Sequence, residues 1–192
     1  PATSNLGLKE AGINLDGSRI VVNERLETSV PGIYAVGDAI GGAMLAHTAF
    51  AEGTVAAENA LGEQKSIAKE AIPNCIYTQP EAASVGLTEQ QALEAGYRIK
   101  VGRFPLRANS KALTENVDGF VKVIADEAQD KILGVHILGP HATELIAEAA
   151  LAIRLQATIE ELAATIHPHP SVSEAMAEAA LAANKIALHI PN

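Results

Sequence analysis

Residues 119–125 and 131–138 are two apolar runs separated by five consecutive loop residues, Asp126-Glu127-Ala128-Gln129-Asp130. Two strands joined by so short a connection must return antiparallel, because a parallel neighbour needs a crossover of a dozen residues or more. Shorter strand patterns at 75–78, 82–85 and 99–104 extend this sheet. Between them Thr88-Glu89-Gln90-Gln91 reads as a capping box opening a helix that Gly96 ends. Downstream the apolar period changes from two to about 3.6, predicting helices over 142–156, 159–165 and 172–189. Thr158 with Glu161, and Ser171 with Glu174, supply further capping boxes. Strands followed by helices specify an α+β domain, an antiparallel sheet flanked by helices.

The first third of the chain has another character. A short strand is predicted at 18–22, and residues 33–36 (Ile33-Tyr34-Ala35-Val36) read as a buried strand ending at Gly37-Asp38. Gly41 and Gly42 turn the chain, and a helix follows over 44–61 with Gly62 as its stop. The polar stretch 63–72 marks a boundary, giving segments 1–68 and 69–192. Taken alone, segment 1–68 would leave the run 33–36 with an unpaired edge unless other chain covers it.

Composition removes several function classes. With 48% apolar and 19% charged residues the chain is ordinary globular material, without the run of about 20 uncharged apolar residues that a membrane helix needs. A net charge of −9 repels a phosphate backbone, and 3% aromatic residues with no Trp offer no platform for stacking bases, so neither nucleic acid nor membrane is expected as a partner. The lone Cys75 forbids an intramolecular disulfide, a C-x-x-C pair and a thiolate-rich zinc site, and reads as a small buried apolar residue. The opening at Pro1, without Met or a leader-like pattern, reads as that of a piece of a longer protein.

Two places could carry chemistry. Asp38, delivered by the end of a strand, can accept hydrogen bonds from a ligand hydroxyl, while the helix starting near Met44 and His47 presents N–H groups to an electron-rich ligand; alternatively Asp38 merely caps that helix. The phosphate fingerprint G-x-G-x-x-G occurs nowhere. The second place is His167-Pro168-His169-Pro170-Ser171-Val172-Ser173-Glu174, where two prolines exclude helix before Ser171 and put both imidazoles in a bend. Glu174 could orient an imidazole as a general base or complete the cap with Ser171, and one carboxylate can do both. A metal pair of the two histidines would lack local third and fourth ligands. His47, His136, His141 and His189 carry no comparable signal of their own.

The segments Thr28, Gly37-Asp38, Ala43-Met44-Leu45-Ala46-His47 and Glu52-Gly53 together resemble the second flavin-binding segment of the pyridine nucleotide-disulfide oxidoreductases. Ile76-Tyr77-Thr78-Gln79-Pro80-Glu81, Val85-Gly86, Ala108-Asn109-Ser110-Lys111-Ala112, Gly119-Phe120-Val121-Lys122, Leu133-Gly134-Val135-His136-Ile137-Leu138-Gly139 and the final His-x-His-Pro resemble the C-terminal interface domain of that family's lipoamide-type members. Ser171 stands where Thr is usual. The resemblance implies that 1–68 ends an α/β FAD-binding domain and that 69–192 is the dimerisation domain. It implies FAD contacts at Asp38 and at Met44, Leu45, Ala46 and His47, and His169 as the acid/base oriented by Glu174 in a homodimer. The expected activity is reoxidation of protein-bound dihydrolipoamide through a redox disulfide and FAD to NAD, serving lipoyl domains of 2-oxo acid dehydrogenase or glycine cleavage complexes in the cytoplasm or the mitochondrial matrix. This segment alone, without the redox cysteine pair, is expected to be inactive. A non-catalytic dimerisation module and a related disulfide reductase, such as glutathione reductase, are the alternatives. A cis His169–Pro170 bond is expected in the tight bend.

Overall fold

The computed structural model describes residues 1–191, and the chain divides into two compact units, Pro1–Ala68 and Lys69–Asn192.

In the first unit, β1 (Leu15–Asp16) and β2 (Arg19–Ile20) form a minimal hairpin around Gly17, whose φ of 63° is the left-handed value such a turn needs. The run 33–36 is not the buried strand its apolar character suggests. It makes one isolated bridge, Glu27 to Tyr34, and Ile33 is 40% exposed. Its backbone bonds go instead to a neighbouring turn: the Ile33 carbonyl accepts from Thr28 N–H (2.8 Å), and Ala35 N–H donates to Leu26 (3.1 Å). An apolar run becomes a buried strand only where other strands flank it, and this unit supplies none on either side. A 3-10 turn, Gly37–Ile40, then leads to α1 (Ala46–Ala60). The helix starts two residues later than its apolar pattern suggests, because Met44 has a left-handed φ of 52°.

The second unit holds a five-stranded sheet of β3 (Asn74–Ile76), β4 (Glu81–Gly86), β5 (Ile99–Pro105), β6 (Phe120–Asp126) and β7 (Ile132–Gly139). Its order is β3-β4-β7-β6-β5 and every pairing is antiparallel. The expected 126–130 connection is ordered by the buried Asp126, whose carboxylate accepts from Ala128 N–H (3.1 Å) and Gln129 N–H (3.2 Å). α2 (Glu89–Glu94) carries the Thr88–Gln91 capping box, and α5 (Ile159–Ala164) the Thr158–Glu161 one.

α4 (Ala142–Arg154) packs on β4 and β7, α6 (Glu174–Ala183) packs on β5 and β6, and α5 lies against α6. The core between sheet and helices includes Val85, Phe104, Val121, Val123, Val135, Ile146 and Met176, all essentially inaccessible. Alternate residues project the other way, where Lys122 meets Glu89 of α2 at 2.9 Å. Two helices differ from the sequence pattern. A short α3 (Ser110–Thr114) forms where no apolar period announces it, its start capped by the Asn109 side chain. α6 begins at Glu174 rather than 172 and stops at Ala183, with Lys185 left-handed at φ 59°; Ala-rich sequence continues the helical pattern in composition but not in backbone.

α6 reaches the sheet at its closest over Gly102. A Cβ built there would lie 1.9 Å from the Ala179 carbonyl oxygen and 2.4 Å from Ala183 N, so backbone packs on backbone with no side chain to yield. Gly102→Ala is therefore expected to destabilise the chain by about 2–3 kcal/mol through overpacking. Denaturant unfolding checks this; an unchanged midpoint would contradict the close seat of α6.

Candidate active site

The His-x-His-Pro bend lies between α5 and α6, and its two imidazoles have opposite environments. The His167 side chain is only 6% exposed and is bonded at both nitrogens: Nε2 to Glu148 of α4 (2.9 Å) and Nδ1 to the Thr165 carbonyl (2.8 Å). Carboxylate and carbonyl oxygens only accept, so both nitrogens must donate and the ring must be an imidazolium. In accord, the Glu148 hydrogen bond raises the His167 pKa above its ordinary 6.5, against the opposing pull of burial. A ring held charged on both sides has no nitrogen to offer a ligand, so His167 pins the bend to α4.

His169 is the reverse. Its side chain is 74% exposed, and Nδ1 donates to Glu174 Oε1 at 2.8 Å. The acceptor fixes the proton on Nδ1 and leaves Nε2 as the nitrogen able to exchange a proton with a ligand. The second oxygen of Glu174 accepts from Ser171 N–H at 2.9 Å. Burial pushes the Glu174 carboxyl up, but the Ser171 N–H and His169 outweigh it and hold the group below the usual 4.5. The His169–Pro170 bond is cis. The capping reading of Glu174 is half realised: its carboxylate takes Ser171 N–H, but the Ser171 hydroxyl pairs with Ser173 (2.7 Å) and caps nothing.

One turn further along α6, the buried Glu178 was not foreseen. Its Oε1 takes Nδ1 of His189 (2.8 Å) and its Oε2 takes the N–H groups of Leu188 (3.1 Å) and His189 (3.2 Å), so it clasps the chain beyond the helix. His136, on β7, is bonded to the Leu87 carbonyl (3.1 Å), and burial lowers its pKa, as suits a structural ring. Cys75 is half-buried, and burial raises its thiol pKa, which suppresses the reactive thiolate.

In the first unit, Asp38 lies exposed in the 3-10 turn and Met44, Leu45, Ala46 and His47 lead into α1. Gly37 N–H donates to Glu52 Oε2 of α1 (2.7 Å), which ties the turn to the helix. Asp38 does not cap α1: the N-cap is Leu45, with no side-chain cap bond. Thr48 Oγ1, within the first turn, is buried without a hydrogen-bond partner. An uncapped helix start, an unsatisfied hydroxyl and an exposed carboxylate suit a polyhydroxylated, electron-rich group such as FAD. Among the described residues no cluster of His, Cys, Asp or Glu could hold a metal ion, and no helix is long and apolar enough to cross a membrane.

The chain is similar to known proteins. Residues 72–180 match the family model of the pyridine nucleotide-disulphide oxidoreductase dimerisation domain, and residues 1–53 match the model described as pyridine nucleotide-disulphide oxidoreductase. The chain is 50% identical to dihydrolipoyl dehydrogenase of Thermus scotoductus over 194 residues, covering all of this chain and 42% of that protein. It is 48% identical to the human mitochondrial dihydrolipoyl dehydrogenase, covering 96% of this chain and 36% of the relative. The chain thus spans about two fifths of the length of these relatives. Among solved structures it superposes on LpdA of Mycobacterium tuberculosis with a TM-score of 0.89 at 34% identity, over 94% of this chain and 40% of that one. It superposes on the HOCl-induced flavoprotein disulfide reductase RclA of Escherichia coli with a TM-score of 0.84 at 29% identity, over 94% of this chain and 42% of that one.

The His167–Glu148 pair has a pH signature. Because folding raises the His167 pKa, its contribution is complete below about 6.5, the unfolded value, and is lost as pH rises through the folded value. Glu148→Gln is expected to destabilise the chain more at pH 6 than at pH 9. Equal losses in unfolding experiments at the two values would contradict the imidazolium assignment.

Proposed function

The chain belongs to the pyridine nucleotide-disulphide oxidoreductase family, and on that premise we propose that it is the C-terminal part of a flavoprotein that reoxidises protein-bound dihydrolipoamide. In this reading residues 1–68 close an FAD-binding domain and residues 69–192 form the dimerisation domain of a homodimer. Electrons would pass from the dithiol through a redox disulfide and FAD to NAD. Lipoyl domains of 2-oxo acid dehydrogenase or glycine cleavage complexes are the proposed partners, in the cytoplasm or, as in the mitochondrial relatives, the matrix.

The observation that carries the chemical part is the asymmetry of the two imidazoles: His167 is engaged on both nitrogens, whereas His169 has one nitrogen steered by Glu174 and a widely exposed ring. A dithiol must become a thiolate to attack a disulfide, and an ordinary thiol is mostly protonated near neutral pH. Nε2 of His169 would take that proton, and Glu174 would keep the ring in the receptive tautomer and stabilise the cation that forms. FAD, when bound, supplies the electron acceptor; Asp38 would hold its hydroxylated chain, and the backbone from Met44 to His47 would face its electron-rich edge. With Cys75 as its one cysteine, this chain cannot itself provide the disulfide, and the purified chain is expected to show no lipoamide turnover.

With the chain placed as the C-terminal portion of a dihydrolipoyl dehydrogenase, His169→Gln is expected to lower kcat by about 10²–10⁴-fold, the usual size of a general acid–base contribution. Turnover within twofold of the parent would overturn the assignment. The likeness to RclA supports a second reading, a different disulfide substrate on the same acid/base, which a substrate panel with the same assembly resolves.

A further inference from the structure

We infer that Asn109 is a positioning residue for the His169–Glu174 pair, acting through the backbone of Ser171. Asn109 sits between β5 and α3 and is 5% exposed, and its side-chain oxygen and nitrogen both have partners. Oδ1 accepts from Ala112 N–H (2.9 Å), capping α3; Nδ2 donates to the Ser171 carbonyl (2.9 Å), 62 residues away in sequence. Ser171 is thereby held at both backbone groups, its C=O by Asn109 and its N–H by Glu174 Oε2. The oxygen of Glu174 not bonded to Ser171 is the one that meets His169 Nδ1. Asn109 thus fixes the donor that fixes the carboxylate that fixes the ring.

Capping alone does not require asparagine. A five-residue helix needs one acceptor at its start, and Ser or Thr supplies it. What asparagine adds is the N–H donor, and that donor is spent on the bend. Without it the half-buried Ser171 carbonyl loses its partner, which frees the torsions about the Ser171 Cα that relate this C=O to the Ser171 N–H and lets the N–H leave Glu174. The main influence holding the Glu174 carboxyl below its ordinary range is that same N–H.

This inference rests on the acid/base reading of His169, but its test does not. Asn109→Ser and Asn109→Thr keep the cap and delete the donor. In the full 192-residue chain, isotope-labelled NMR titration is expected to show the Glu174 carboxyl midpoint moved up toward the ordinary glutamate range in both variants, with the Ala112 amide signal in place and thermal unfolding still cooperative at a lowered midpoint. A Glu174 midpoint that stays put while the variants fold would overturn the inference. If neither variant folds, exchange of the Asn109 side-chain amide in the unaltered chain decides: protection at least tenfold over a free asparagine supports the bond to Ser171, and exchange at the free rate refutes it. His169→Gln separates the two ideas. Undiminished turnover there removes the acid/base reading whatever Asn109 does, and an unmoved Glu174 removes the role of Asn109 whatever His169 does.

Discussion

The carboxylate of Glu174 is where the second unit's architecture becomes chemistry. One oxygen is occupied by a backbone N–H and the other by an imidazole, so the group that orients His169 is itself oriented before any substrate arrives. A free glutamate on a helix start would lose side-chain entropy each time it engaged the ring; here that ordering is built into folding. Its position at the first residue of α6 adds the favourable end of the helix dipole.

Several contacts within the second unit hold that first turn in place. α6 cannot slide along the sheet, because it lies backbone to backbone on Gly102 and its inner face is filled by Ala175, Met176, Ala179 and Ala180. The bend before it is tethered on one side by His167 and Glu148 of α4, and on the other by Asn109 at the start of α3. Glu178 clasps the chain that follows the helix. Of the two rings in the bend, His169 is the one left in the open, 74% exposed against 6% for His167.

Much of this was legible in the amino-acid order, for identifiable reasons. The β6–β7 hairpin, the two Thr capping boxes and the proline-bounded bend are local signals, in which a few neighbouring residues determine the backbone. His169 and Glu174 lie five residues apart across a bend, so their pairing could be read from spacing. The misreadings share a different cause. The run 33–36 has the composition of a buried strand, but burial is set by partners and not by the run itself. The end of α6 is fixed by a left-handed Lys185 and by Glu178's hold on distant N–H groups, neither of which interrupts the Ala-rich pattern. Asn109 and Glu148 act on the bend across 62 and 19 residues respectively, a distance over which sequence carries no visible mark.

Which nitrogen of His169 carries the proton decides whether Glu174 orients the ring. Imidazole ¹⁵N shifts of the labelled chain, recorded at alkaline pH, read this directly. His169 is expected in the Nδ1–H form, against the Nε2–H preference of a free imidazole, because only that form of the neutral ring can donate to Glu174. A His169 ring found in the Nε2–H form, or split between the two as in a solvated histidine, would contradict it.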